Sequence, residues 1–109
     1  MSSHNLLEVR QVDDLAVAVV IAPTVDSSNA EALGRHLASL VETHSLHLDL
    51  GKVRRLSSVG LVKLVALHKK ARDEGRELRL LNVAPSVRRV FLDMELLELF
   101  RLEDTMTGA

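Results

Sequence analysis

The chain has 109 residues, 47% of them hydrophobic and 27% charged, and a net charge of −1. That is a globular balance, enough for one core, and it excludes a disordered chain and the basic footprint of a general nucleic-acid binder. There is no Trp, Tyr or Cys and only 2 Phe, which excludes base-stacking platforms, disulfides, thiolate metal sites and cysteine catalysis.

Leu6 to Val12 reads as a first strand with Leu7, Val9 and Val12 apolar, and Asp13-Asp14 as a turn. Leu15 to Ile21 is almost continuously apolar and β-branched, the pattern of a central strand with both faces covered. Pro23 ends it, because proline donates nothing to a ladder. Thr24 to Ser27 reads as a loop. Ser28 and Glu31 have the spacing of a capping box, followed by a helical stripe of Ala30, Leu33, Leu37, Leu40 and Val41, with Gly34 off it. This first helix is expected to end near Thr43.

Leu46, Leu48 and Leu50 alternate with His47 and Asp49, giving a third strand. Gly51 to Arg55 is a polar connection, and then come Leu56, Ser57 and Ser58. Serine is favoured just before a helix because its oxygen accepts from a first-turn N–H. The second helix is expected from about Val59 to Asp73, with Leu61, Leu64, Val65, His68 and Ala71 toward the sheet and Lys63 and Lys70 in water. Val59, Val62 and Ala66 lie beside the inward stripe, as a partner surface or as a wider buried face. Gly60 in the first turn costs about 1 kcal/mol relative to alanine. Its reason is close approach of a partner or tight packing on its own sheet.

Leu78 to Val83 reads as a fourth strand, and Pro85 opens a third helix with Val87, Val90 and Phe91 on its apolar side. Leu96 to Leu102 reads as a short last strand. The order is ββαβαβαβ, an α/β fold with a mixed, mostly parallel β-sheet and helices. No run reaches the roughly 18 apolar residues of a membrane span. The N-terminal MSSHNLLEVRQ has no signal-peptide pattern, so the expected location is the cytoplasm, without membrane insertion. The five histidines match no zinc spacing, and no nucleophile elbow, phosphate loop or dinucleotide fingerprint occurs. No catalytic, metal or cofactor site is expected.

The stretch LDLGKVRRLSSVGLVKLV resembles the STAS domain family, named for sulfate transporters and anti-sigma factor antagonists, and within it the small stand-alone bacterial antagonists. The matching turn is Ser57-Ser58-Val59-Gly60-Leu61. VIAPTVDSSNAEAL resembles the family's strand-loop-helix entry, with Asp26 at its recurrent acidic position. LNVAPSVRRVFLDMELLELF resembles its Pro-x-Val-x-x-x-Phe helix and the apolar cluster beyond. The likeness implies one STAS domain over residues 1–109, its core about residues 6–103. It implies a protein-binding module rather than an enzyme. In the family the antagonist binds an anti-sigma factor, often itself a serine kinase, and frees a sigma factor for transcription. Phosphorylation of a serine at the helix start breaks the complex, and a serine phosphatase restores it. Carried over, the acceptor is Ser58, with Ser57 as second choice. The partner surface is then Asp26, Ser57, Val59, Gly60, Val62, Lys63 and Ala66. The protein is expected to be a monomer or weak dimer with no direct nucleic-acid contact. The alternatives are a STAS subunit of a stressosome-like particle or of a lipid-transport ATPase, and an enzyme or small-ligand carrier. The chain departs from the family pattern at Ser57, where an acidic residue is usual, at Val59, where a small polar residue is usual, and at Met94-Glu95, which replaces a common glycine.

Overall fold

Among the described residues, backbone hydrogen bonding forms two sheets, of four strands and of two, overlaid by helices on one side. The computed structural model describes residues 6–96 and Phe100. In chain order the elements are β1 (Leu7–Val12), β2 (Leu15–Val20), β3 (Thr24–Val25), α1 (Ala30–Val41), β4 (Ser45–Asp49), β5 (Arg55–Leu56), α2 (Ser58–Asp73), β6 (Leu78–Leu81) and α3 (Pro85–Asp93). The larger sheet runs β1-β2-β4-β6. β1 and β2 form an antiparallel hairpin, and β2–β4 and β4–β6 are parallel. The crossovers carry α1 and α2, which pack on each other, as parallel strands require.

Cross-strand partners point to the same face. Leu7, Ala16, Ala18, Val20, Leu46, Leu48, Leu78 and Leu80 share one face and are all buried. α1 closes that face with Ala30, Leu33, Leu37 and Val41. The opposite face carries Leu15, Val17 and Val19 in its middle, none of them fully buried. β2 is therefore central but covered on one face only. Its run of apolar residues reflects β-propensity as much as burial. Val9, opposite Ala18 on the covered face, stays 37% exposed because β1 is the edge strand, and Val12, opposite Leu15 on the open face, stays 61% exposed.

The segment expected as a loop at Thr24 to Ser27 contains β3, which pairs in parallel with β5 through Thr24–Arg55 and Val25–Leu56. The expected capping box does not form. Ser28 turns back on Asp26, its N–H and hydroxyl both donating to Asp26 Oδ1 at 2.9 and 2.6 Å. α1 instead begins after Asn29. Asn29 Nδ2 donates to the Thr24 carbonyl at 2.8 Å, and its Oδ1 accepts from the Asp26 N–H at 3.0 Å. Glu31 reaches Lys63 on α2 at 2.8 Å.

α2 buries Gly60, Leu61, Leu64, Leu67 and Ala71. Leu67 takes the place expected for Val65 and His68, which are half-buried at the margin. Phe100, 3% exposed, meets the ring of His68 edge-on at 5.3 Å and that of Phe91 at 5.2 Å. The expected strand from Leu96 to Leu102 falls largely outside the described residues. Phe100 itself is helical, its N–H donating to the Leu96 carbonyl at 3.3 Å.

At Met94-Glu95 the chain keeps the backbone that glycine would favour. Glu95 has φ +59°; its N–H donates to Leu92 and that of Leu96 to Phe91. This is a Schellman C-cap with glutamate in the left-handed position, where a side chain costs about 1 kcal/mol. Glu95→Gly is expected to raise the unfolding free energy by about 0.5–1 kcal/mol in urea titration, and a loss of stability would contradict this cap.

Burial first, and the charge of Arg72 second, lower the pKa of His68 from the usual histidine value of 6.5. The unfolded chain then binds the proton more readily than the folded one. This contribution is present above about pH 6.5 and is lost as pH falls toward the lower folded value. The melting temperature is expected to drop between about pH 7 and about pH 5.5, and His68→Leu is expected to flatten that drop. An unchanged slope in the variant would place the titration elsewhere.

Candidate functional site

The site is the mouth of α2, and its position follows from the small sheet. β3 and β5 pair side by side, and the ladder's last bond, from the Ser57 N–H to the Val25 carbonyl at 2.9 Å, fixes the residue before the helix. Ser57 is extended there, at φ −79° and ψ 170°, and its Oγ accepts from the Gly60 N–H at 3.3 Å. Ser57 is thus the N-cap and half-buried. Ser58 is the first helical residue, and it is exposed.

The two adjacent hydroxyls therefore differ in kind. One is engaged in holding the helix start, and the other stands in solvent. The N–H groups of Ser58 and Val59 have no intrahelical acceptor, and the first turn of α2 holds no acidic residue. The positive end of the helix is left uncompensated, so negative charge is favoured there.

Gly60, expected among the partner-binding residues, is buried and offers no side-chain surface. A Cβ on it would lie 2.8 Å from Leu56 Cδ1, 2.8 Å from Val25 Cγ1 and 3.3 Å from the Val25 carbonyl oxygen. Its glycine is required by the two small strands packed beneath the first helical turn. This corrects the partner-contact reading with an internal packing reason.

Val59 and Val62 are 42% and 63% exposed, and Ala66 is exposed as well. Of the two readings of this stripe, the structure excludes the wide buried face. With Ser58 it forms one outward strip on α2. Lys63 is at its flank, its side chain 36% exposed and bonded to Glu31. That lysine lowers the pKa of Glu31, through the hydrogen bond first and the charge second.

Asp26 follows β3 as Ser57 follows β5, so the ladder brings its loop beside the helix mouth. The carboxylate is occupied by Ser28, whose hydroxyl and N–H lower its pKa. Asp26 therefore orders the loop. Its geometry gives no sign of a base aimed at Ser58. Two signals that the sequence reading missed were Asn29, which ties α1 to β3, and the backbone bond from Ser57 to Val25. Among the described residues no cluster of His, Asp and Glu is arranged to hold a metal ion, and no helix is long and apolar enough to cross a membrane.

A four-stranded mixed sheet, helices on one face and a serine-capped helix behind a two-residue parallel pair define the class. The STAS domain model matches residues 7–109, and the chain belongs to the STAS family. It is 31% identical over 105 residues to BtrV of Bordetella bronchiseptica, a protein named as an anti-sigma factor antagonist, the match spanning 94% of this chain and 90% of that one. An anti-sigma factor antagonist from Mycobacterium paratuberculosis, solved by crystallography, superposes with a TM-score of 0.77 at 28% identity, over 88% of this chain and 82% of its own. The fold is also that of SpoIIAA. The unphosphorylated form matches at TM-score 0.72 and 15% identity, over 83% of this chain and 81% of that one. The phosphorylated form of the Bacillus protein matches at 0.67 and 14%, over 83% and 84%.

Two substitutions test this local geometry. Gly60→Ala is expected to lower stability by about 1–2 kcal/mol despite alanine's better helix propensity, because overpacking against stiff Val25 outweighs it. Ser57→Ala is expected to cost about 1 kcal/mol, and Ser58→Ala less than about 0.5 kcal/mol. Denaturant titration showing equal effects at the two serines would contradict the division of roles.

Proposed function

We propose that this chain is an anti-sigma factor antagonist: a non-enzymatic cytoplasmic module that binds an anti-sigma factor through the mouth and outer strip of α2. The anti-sigma factor is the serine kinase that phosphorylates Ser58, and a serine phosphatase reverses the step. Regulation of transcription follows from which partner the anti-sigma factor holds, with no direct contact to nucleic acid. The protein works as a monomer or weak dimer.

The observation that carries this reading is the placement of Ser58. Its hydroxyl is exposed in the first turn of α2, while the neighbouring serine takes the capping role. A phosphate added there brings roughly −1.5 to −2 charge. The helix end tolerates that charge, so the fold has no reason to change. A partner packed on Val59, Val62 and Ala66 meets it at close range, where repulsion and desolvation oppose docking. The names of the relatives support the same assignment.

Incubation with the kinase and ATP is expected to add one phosphate, mapped to Ser58 by peptide mass spectrometry. Ser58→Asp is expected to weaken kinase binding at least about tenfold while Ser58→Ala preserves it. Val62→Glu is expected to abolish binding with a change in stability below about 0.5 kcal/mol. A phosphate mapped elsewhere, or full binding by Ser58→Asp, would overturn the switch. A large loss of melting temperature in Val62→Glu would return Val62 to the core.

A further inference from the structure

Beside the outer strip of α2 lies a groove of about 230 Å³ between α1 and α2. Small residues from both helices line it: Gly34 and Ala38 from α1, and Ala66 from α2. Its cations are Arg35, Lys63 and Lys70. Gly34 matters here for space, since a Cβ on it would lie 3.3 Å from Lys63 Cδ. The lysine stem lies across the glycine, and its ammonium reaches Glu31 at 2.8 Å.

The charge of this surface is opposite to that of the whole chain. Of the charged residues of α2, Lys63, Lys69, Lys70 and Arg72 are basic and only the last residue, Asp73, is acidic, in a chain of net charge −1. Two carboxylates of the first helical segment face these cations. Glu31 pairs with Lys63 and, at 3.7 Å, with Arg35, and Glu42 pairs with Lys70 at 3.3 Å. Arg35, Lys63 and Lys70 therefore outnumber Glu31 and Glu42 by one. The pairs are solvent-exposed and screened, so each contributes little, and carboxylates from outside can take their place. Val59, Val62 and Ala66 recur at helical spacing along the same flank, as a facing helix reads them.

We infer that the segment docking here is an acidic amphipathic helix of the partner protein. Its apolar edge lies on Val59, Val62 and Ala66, and its carboxylates lie over Arg35, Lys63 and Lys70. This rests on the docking reading above and adds the partner's chemistry. It also explains the leverage of a single phosphate. A dianion at Ser58 meets like charge on the incoming helix, so it repels the partner as well as resisting desolvation.

The test is a titration of the isotope-labelled full chain with three synthetic amphipathic helices sharing one apolar edge, flanked by Glu, Gln or Lys. The Glu-flanked helix is expected to bind at least about tenfold tighter than the Lys-flanked one. It is also expected to weaken about tenfold between about 0.05 and about 0.5 M salt. Amide shifts are expected at Gly34, Ala38, Val62 and Ala66. The double variant Arg35→Gln, Lys70→Gln is expected to lose that preference with a melting temperature lowered by no more than about a few degrees. Equal binding of the three helices, or shifts confined to the open sheet face, would overturn the inference. The kinase experiment fails independently. If Ser58→Asp leaves kinase binding intact while the Glu-flanked helix still lands in the groove, the switch falls and the groove stands. If the helix lands elsewhere while Ser58→Asp still weakens kinase binding, the groove alone falls.

Discussion

A single backbone hydrogen bond, from the Ser57 N–H to the Val25 carbonyl, sets where α2 begins. It completes the two-residue pairing of β3 with β5. Above that pairing sits Gly60, whose missing side chain lets the first helical turn settle on Val25 and Leu56. With the turn held so closely from below, its other side has only one direction to face. Ser58, Val59 and Val62 are outward because Gly60, Leu61 and Leu64 are inward. The chemistry of the site thus descends from a packing constraint inside the domain.

That constraint also separates fold from signal. Leu46, Leu48, Leu80, Val87 and Phe91 carry the core and are at most 0% exposed; burying a side chain of this size contributes roughly 1.5–3 kcal/mol. None of them lies in the outer strip of α2. Charge placed at Ser58 acts on an exposed helix end, where its effect on folding is at most a few tenths to about 1 kcal/mol and favourable in sign. An interface beside it experiences the same charge with the opposite sign. One modification can therefore change association strongly and stability little.

The larger elements were legible because burial leaves a period. The alternation of Leu46, Leu48 and Leu50, the stripe from Ala30 to Val41 and the proline at Pro85 each specify an element locally, and each is present. β3 and β5 were not legible, since two residues carry no period. They form because tertiary packing aligns them. Ser28 and Glu31 had the right spacing for a cap, yet Asp26 competes for the Ser28 hydroxyl and Lys63 draws Glu31 away. Asp26 lies two residues before Ser28, just outside the four-residue motif, and Lys63 is on another helix. The unusual Met94-Glu95 was visible as a departure, but only the φ of Glu95 shows that the corner kept its shape and accepted strain. In the site, helix-start chemistry showed that one of the two serines caps α2, and only the backbone of Ser57 shows which one, leaving Ser58 as the exposed hydroxyl. The internal reason for Gly60 needed the position of Val25, which lies far away in the chain.

The most direct measurement is amide hydrogen exchange on the chain phosphorylated at Ser58, compared with the unmodified chain. The amides of Ser57 and Gly60 report on the bonds that hold the mouth of α2, and those of Leu46 and Leu48 report on the central sheet. A switch that acts only at the interface leaves all four equally protected in the two forms, while binding to the kinase is lost. Loss of protection at Ser57 and Gly60 on phosphorylation would mean that the helix start melts, and that the signal travels through the fold instead of across the surface.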